Sequence, residues 1–219
     1  LTEQQYISKV EDHLSCTAYS PLPSDPTKKT SSALDTKLKK LLSEGKITKG
    51  IYDSSRNLYP RYPQLYGTPK IHKPNAPIRP IVSFYNTPLV ALHKVLSHYL
   101  KPLTISTLRL RDSYHFLEEL RSHDDPNYTY QASLDVKSLY TSCDMHAAVQ
   151  LVMDRLTTSP EYLPPGFSLD AMKTLLDFCL DNSYFEFNDK FYKQTEGGPM
   201  GSPLTVDLAE IRTSHLEQE

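Results

Sequence analysis

The chain has 219 residues, 38% apolar content and a formal net charge of −2. That is enough apolar material for one large domain or two small ones, and a charge balance that names no partner by itself. Cys16, Cys143 and Cys179 are odd in number and widely spaced, which suggests neither a disulfide framework nor a Cys-x-x-Cys zinc site and suits a reducing compartment.

No apolar run approaches the roughly 20 residues of a membrane span, so no membrane partner is expected. The sequence starts at Leu1 without a signal-peptide pattern and stops in a polar, helix-like run from His215 to Glu219. Both ends read as the ends of a fragment.

Along the chain, Thr2-Glu-Gln-Gln5 has the form of a capping box, with Ile7, Val10 and Leu14 at helical spacing behind it. Tyr19 to Thr30 reads as a Pro- and Ser-rich connection. Leu34, Leu38, Leu41 and Leu42 mark a second helix ending at Gly45. Tyr59 to Pro80 carries six prolines among Lys and Arg and should be extended or looped, with Ile81-Val82 a short strand at its end. Thr87-Pro88 has the form of an N-cap with proline at the first helical position, opening a helix through Leu92, Val95, Leu96 and Tyr99 that Pro102 stops.

Asp112 should cap a helix through Phe116, Leu117 and Leu120. Tyr128 to Val136 reads as a strand. Asp144 should cap a helix bearing Val149, Val152, Met153 and Leu156, and another helix spans about Ser168 to Leu180. Tyr184 to Phe187, the dipeptide Asn188-Asp189 and Lys190 to Tyr192 form a hairpin pattern. Ser202-Pro203 then starts a helix with Leu204, Leu208 and Ile211. The whole is an α+β pattern, not regular strand–helix alternation.

Charge is distributed unevenly. From Ser54 to Arg111 there is no Asp or Glu, while Arg56, Arg61, Lys70, Lys73, Arg79, Lys94, Lys101, Arg109 and Arg111 all fall there. Acids are 26 of 219 residues overall, so about seven would be expected in that stretch by proportion. A basic segment in an acidic remainder suits a polyanion-binding face; the alternative is a basic surface balanced by acidic neighbours in space.

Three stretches carry candidate chemistry. In Leu65 to Ser83, Lys70, Lys73 and Arg79 sit on a proline-stiffened segment that loses little entropy on ordering, holding cations ready for phosphates; alone it also fits an ordinary surface loop. In Ser133 to Ser142, Asp135 ends an apolar run where a carboxylate meets hard cations such as Mg²⁺. Tyr140, five residues on, is placed to pack beside a nucleotide sugar, or else to fill core. In Gln194 to Leu204, Gly197, Gly198 and Gly201 allow close backbone approach before the Ser202-Pro203 helix start, whose amides suit an anion. No Gly-Lys-Ser/Thr follows, so a P-loop is excluded.

Taken in order, these stretches resemble reverse transcriptases. The wording Leu65-Tyr-Gly-Thr-Pro-Lys-Ile-His-Lys73 with Arg79-Pro-Ile-Val-Ser83 resembles the Penelope-like branch, and the likeness covers nearly the whole chain. The resemblance implies a right-hand polymerase fold: an N-terminal helical region over 1–53, fingers over 54–125 and an incomplete palm over 126–219. It implies Lys70, Lys73 and Arg79 in the fingers, with Arg79 on the incoming triphosphate. Asp135 and the backbone carbonyl of Val136 would hold metal, and Tyr140 would gate the sugar. Gln194 and Gly197 would bind nucleotide, and Met200, Gly201, Ser202 and Pro203 would line the template–primer. The implied partners are an RNA template, a DNA primer and deoxynucleoside triphosphates, with two Mg²⁺ ions and a nuclear location.

The departures matter too. Thr68 replaces the family's Leu, Ser142-Cys-Asp144 replaces Ile-Pro after the Asp135 motif, and Thr205-Val206 replaces Ser-Pro after Leu204. They suit drift in an old or partly domesticated copy. The family's Tyr-x-Asp-Asp hairpin does not occur in these 219 residues, so the sequence carries one motif-placed carboxylate where two-metal phosphoryl transfer needs more. The expectation is a polymerase portion inactive by itself; the alternative is a non-catalytic nucleic-acid-binding remnant.

Overall fold

A computed structural model describes residues 1–104, 110–122, 130, 132–136 and 138–217. Helix α1 (Glu3–Leu14) opens with the expected capping box: Thr2 Oγ1 accepts from the Gln5 amide, and the Gln5 side chain accepts from the Thr2 amide. Strand β1 (Tyr19–Leu22) follows, in the stretch expected to be a connection. Pro21 costs it nothing, because β1 lies at a sheet edge where a missing amide is tolerated. The Leu-rich helix α2 begins earlier than its leucines suggest, running Thr27–Ser43, and Gly45 at φ +67° ends it. A short helix α3 (Lys49–Ser54), capped by Thr48, was not apparent in the sequence.

The Pro-rich stretch is extended, as expected, and forms the antiparallel pair β2 (Gln64–Pro69) and β3 (Ile78–Ser83). Helix α4 (Val90–Leu100) starts two residues later than Thr87-Pro88 predicts. Thr87 Oγ1 donates to the Phe84 carbonyl instead of capping, which commits Thr87-Pro88 to a turn. Pro102 falls in a 3₁₀ turn, Lys101–Thr104. Helix α5 (Ser113–Ser122) has its expected Asp112 cap on the His115 amide and buries none of its side chains.

The strand expected over Tyr128 to Val136 is not formed at residues 132–136, which have no regular secondary structure. Leu134 there is 97% exposed. Residues 128, 129 and 131 of that expectation lie outside the described residues. A strand is defined by a partner, and none of the described strands pairs with this segment.

Next come α6 (Leu139–Ser142), α7 (Met145–Thr158) capped by Asp144, and α8 (Leu169–Asp181) capped by Ser168. The hairpin β4 (Tyr184–Phe187) and β5 (Lys190–Gln194) turns on Asn188 and Asp189, both at positive φ, as a two-residue primed turn requires. Helix α9 (Pro203–Leu216) begins with Ser202 as N-cap and proline at its first position.

Among the described residues, five strands form one mixed sheet in the order β1-β5-β4-β2-β3. Only β2 and β4 pair in parallel, through Gln64 and Glu186. The stretches 1–53, 54–125 and 126–219 each contribute strands to this sheet. Val10 and Leu14 of α1 pack on it with Leu65, Val82, Phe185 and Phe187. A larger core gathers α2, α4, α7, α8 and α9, with Leu92, Leu96, Leu175, Leu208 and Ile211 fully buried. At roughly 1.5–3 kcal/mol per buried side chain of this size, that helical core is the main favourable term holding the site's framework.

Candidate functional site

The glycine turn between β5 and α9 is clamped from two sides. On one side, the Val82 amide of β3 donates to the Met200 carbonyl at 2.7 Å. On the other, the Gly198 amide donates to the Tyr140 carbonyl at 2.7 Å. Two glycines make the fit possible. A Cβ on Gly201, at φ +114°, would overlap the Val82 carbonyl oxygen, and one on Gly197, at φ +64°, would strike the backbone of Tyr140 and Thr141. The three stretches singled out in the sequence therefore meet through backbone contacts.

Between them lies a cleft of about 430 Å³ lined by Arg79, Ile81, Tyr140, Met200, Gly201 and Val206, among others. Strand alternation explains the β3 contribution: Pro80 and Val82 are buried, so Arg79 and Ile81 point the other way, toward the cleft. Tyr140 comes from α6, whose entry residue Ser138 takes the left-handed conformation at φ +58°. The cleft thus holds one exposed guanidinium, one half-buried phenol and a floor of glycine backbone. A guanidinium offers a planar fork to phosphate oxygens, and the phenol ring offers bulk beside it.

The other expected site residues are placed differently. Lys70 and Lys73 lie on the β2–β3 connection, where the Lys70 amide donates to Pro77 and the Lys73 amide to the Lys70 carbonyl; neither lines the cleft. Gln194 is buried and its side-chain amide donates to the Glu196 carbonyl at 3.0 Å, so it braces the turn. Gln194 and Gly197 line a separate hollow of about 290 Å³ with Asp144 and His146. Ser202 is buried as the cap of α9, accepting from the Thr205 amide at 3.3 Å, and its anion-binding amides are thereby occupied in part. Pro203 lines a larger groove together with Gly201.

His93 is a site-supporting residue that sequence reading missed. It is buried on α4, its Nδ1 lies 2.8 Å from Ser202 Oγ, and its ring lies tilted against Phe84 with centroids 5.0 Å apart. Burial pushes its pKa down to about 3, so the ring is neutral at physiological pH. The direction of the His93–Ser202 bond is set by the imidazole tautomer, and Nε2 is buried without a hydrogen-bond partner. Nothing in the sequence marks His93, because its role depends on α4 meeting the start of α9.

Asp135 and Val136 are exposed, on the segment that lacks strand pairing. Among the described residues no group of three or more His, Cys, Asp or Glu side chains gathers to hold a metal ion. Two other carboxylates, Asp144 beside the Asp135 motif and Asp207 after the glycine turn, are otherwise engaged. Asp144 Oδ1 accepts from the Ala147 amide at 2.9 Å as the cap of α7. Asp207 is buried, bonded to Ser97, with its carboxyl pKa raised first by burial. The described residues do not by themselves make a two-metal centre.

No helix among the described residues is long and apolar enough to cross a membrane. Neither a protein-family model nor a curated protein sequence matches the chain.

Proposed function

We propose that the chain is the fingers and part of the palm of an RNA-directed DNA polymerase of the Penelope-like type, with the 430 Å³ cleft as its deoxynucleotide site. One observation carries this reading: three stretches far apart in sequence, chosen for their polymerase-like wording, converge on that cleft through the Val82–Met200 and Gly198–Tyr140 backbone bonds. Arg79 takes the triphosphate, and the Tyr140 ring meets the sugar at the position a 2′-hydroxyl would occupy. Mg²⁺ belongs to the reading with Asp135 and the Val136 carbonyl as contributors, beside carboxylates that are not among the described residues. RNA template and DNA primer are the proposed macromolecular partners.

A second reading, a non-catalytic nucleic-acid binder, is favoured by a different observation. Asp135 stands on an exposed segment without strand partners, so its carboxylate is not held in a fixed direction.

Equilibrium binding of labelled triphosphates to the 219-residue chain tests the first reading. Arg79→Ala should weaken deoxynucleotide binding about tenfold or more, which corresponds to the roughly 1.5–3 kcal/mol of a hydrogen bond to a charged group. Tyr140→Val should narrow the preference for deoxy- over ribonucleotides. Unchanged affinity in the first variant, together with a preference within twofold of the parent in the second, would remove the cleft as a nucleotide site.

A further inference from the structure

Helix α5 is amphipathic and uncovered. Phe116, Leu117 and Leu120 fall on one side of it, each 43–46% exposed, and Tyr114 extends that side. Glu119 borders it beside Phe116 and Glu118 beside Tyr114, at helical spacings of three and four residues. Over residues 112–122 the carboxylates of Asp112, Glu118 and Glu119 stand against the single guanidinium of Arg121. A helix of 10 residues has little stability of its own in water. An apolar side left to solvent along its length therefore calls for a surface to cover it.

The groove lined by Gly201 and Pro203 has the opposite charge character. Its volume is about 950 Å³, and its lining includes Arg56, Lys94 and His98 and no Asp or Glu. Val90, Lys94 and His98 follow one another at one-turn spacing on α4, with Ala91 and Val95 beside them, so this wall is apolar with a polar, cationic edge. Tyr85, also in the lining, is 80% exposed. Its loop is held by Asn57 Nδ2, which donates to Asn86 Oδ1 at 2.9 Å and to the Thr87 carbonyl at 3.0 Å, and by the Arg61 amide, which donates to the Asn86 carbonyl at 2.7 Å. A ring presented from a fixed loop loses little freedom when a protein surface covers it, which is what makes tyrosine an interface anchor.

Gly50 of α3 lines the same groove, and the fold does not require a glycine there. Its φ is not positive, and a Cβ would meet only Thr48 Oγ1, at an ordinary 3.9 Å. Glycine in a helix costs stability relative to alanine. What the missing side chain provides is open backbone beside Ile51 and α4, where a second helix can approach closely.

We infer that the chain associates head to tail, α5 of one copy seating Phe116, Leu117 and Leu120 in the groove of the next, over Gly50 and against Val90, Val95 and Tyr85. Glu118 and Glu119, the latter also paired with His115 at 3.4 Å along its own helix, meet the Arg56, Lys94 and His98 edge. Complementarity selects a second copy as the occupant: one sequence carries both an acid-edged apolar helix and a carboxylate-free apolar groove. Helix α5 contributes no residue to the groove of its own chain. Because the two faces differ, the contact is not self-complementary, and it adds copies in one direction, into a ring or a filament. This inference does not depend on the nucleotide reading of the 430 Å³ cleft.

Sedimentation velocity on the 219-residue chain, before and after nuclease treatment and over about a hundredfold range of concentration, reads the association. The treated chain should pass from monomer to species larger than a dimer as concentration rises. Leu117→Ser with Leu120→Ser should weaken association about tenfold or more, and so should Gly50→Gln, which fills the groove. Both changes fall at exposed positions, so far-ultraviolet circular dichroism and the thermal midpoint should match the parent. Mixed together, the helix variant supplies an intact groove and the Gly50→Gln variant an intact helix, so the mixture should form a dimer and grow no further. A chain that stays monomeric throughout overturns the proposal, as does association unmoved by either variant. A mixture that stays monomeric, or grows past the dimer, overturns it too. Association lost on nuclease treatment also overturns it, because a polynucleotide then joins the copies.

Discussion

The glycine turn at 197–201 and the segment 132–136 carry the two most telling motifs of the sequence, and they are built in opposite ways. The turn has backbone bonds on both sides, a buried cap at Ser202 and an imidazole behind that cap. The Asp135 segment has exposed Leu134 and Val136 and no strand pairing. The difference lies in where each motif's partners come from. The turn is completed by β3, α4 and α6, all within the described chain, whereas a single extended segment needs a neighbouring strand before its direction is fixed. The backbone of the glycine turn and of β3 beneath Arg79 is thus fixed here, and the segment carrying the Asp135 carboxylate is not.

The largest expected contrast is in stability. Gly201→Ala should destabilise the chain by at least about 3 kcal/mol, the sum of a left-handed non-glycine residue and a clash with the Val82 carbonyl. Denaturant midpoints read this directly, and a loss under about 1 kcal/mol would mean the turn is not clamped.

Acid should loosen the same region next. The His93 pKa falls to about 3 in the folded state, below the roughly 6.5 of an unfolded chain. Its stabilising contribution is therefore complete above about pH 6.5 and is lost progressively as pH falls toward 3. Between pH 6.5 and 4.5 the parent should lose about 2–3 kcal/mol more than a His93→Leu variant measured beside it. Parallel pH curves for the two proteins would remove the neutral-imidazole argument.

A smaller effect of opposite sign is expected at Asp207, whose carboxyl pKa is raised by burial. Its contribution is complete at low pH and is lost as pH rises through the raised folded value. Asp207→Asn removes the buried charge and keeps a partner for Ser97, so it should gain about 1 kcal/mol at pH 7. A loss there would indicate that Lys101, whose charge favours the ionised Asp207, outweighs the burial.

The smallest change should come from Asp135→Asn, within about 0.5 kcal/mol, because an exposed side chain outside the packing has little to lose. A larger loss would show that the segment is packed after all and would erase the contrast with the turn.

What the sequence made legible was local. The Thr2, Asp112, Asp144 and Ser202 caps and the Asn188-Asp189 turn are each set by a few neighbouring residues, and each appears where its chemistry places it. Thr87-Pro88 has the same local signal, yet a turn bond from Thr87 to Phe84 takes precedence. The misses were non-local. Strand β1 exists because β5, far along the chain, supplies its ladder, and residues 132–136 have no strand partner among the described residues. In the site, Arg79, Tyr140 and Met200 were legible as residue types in order. Their separation from Lys70, Lys73 and Gln194 depends on strand alternation and turn bracing that no spacing encodes.

The pairing of β1 with β5 has a consequence for biosynthesis. Tyr19 to Leu22 leave the ribosome about 170 residues before the strand they pair with. At roughly 5–20 residues per second, that edge waits about 10–30 seconds with its amides and carbonyls unpaired. Pro21 removes one of those amides, so the waiting edge offers one donor fewer to another copy.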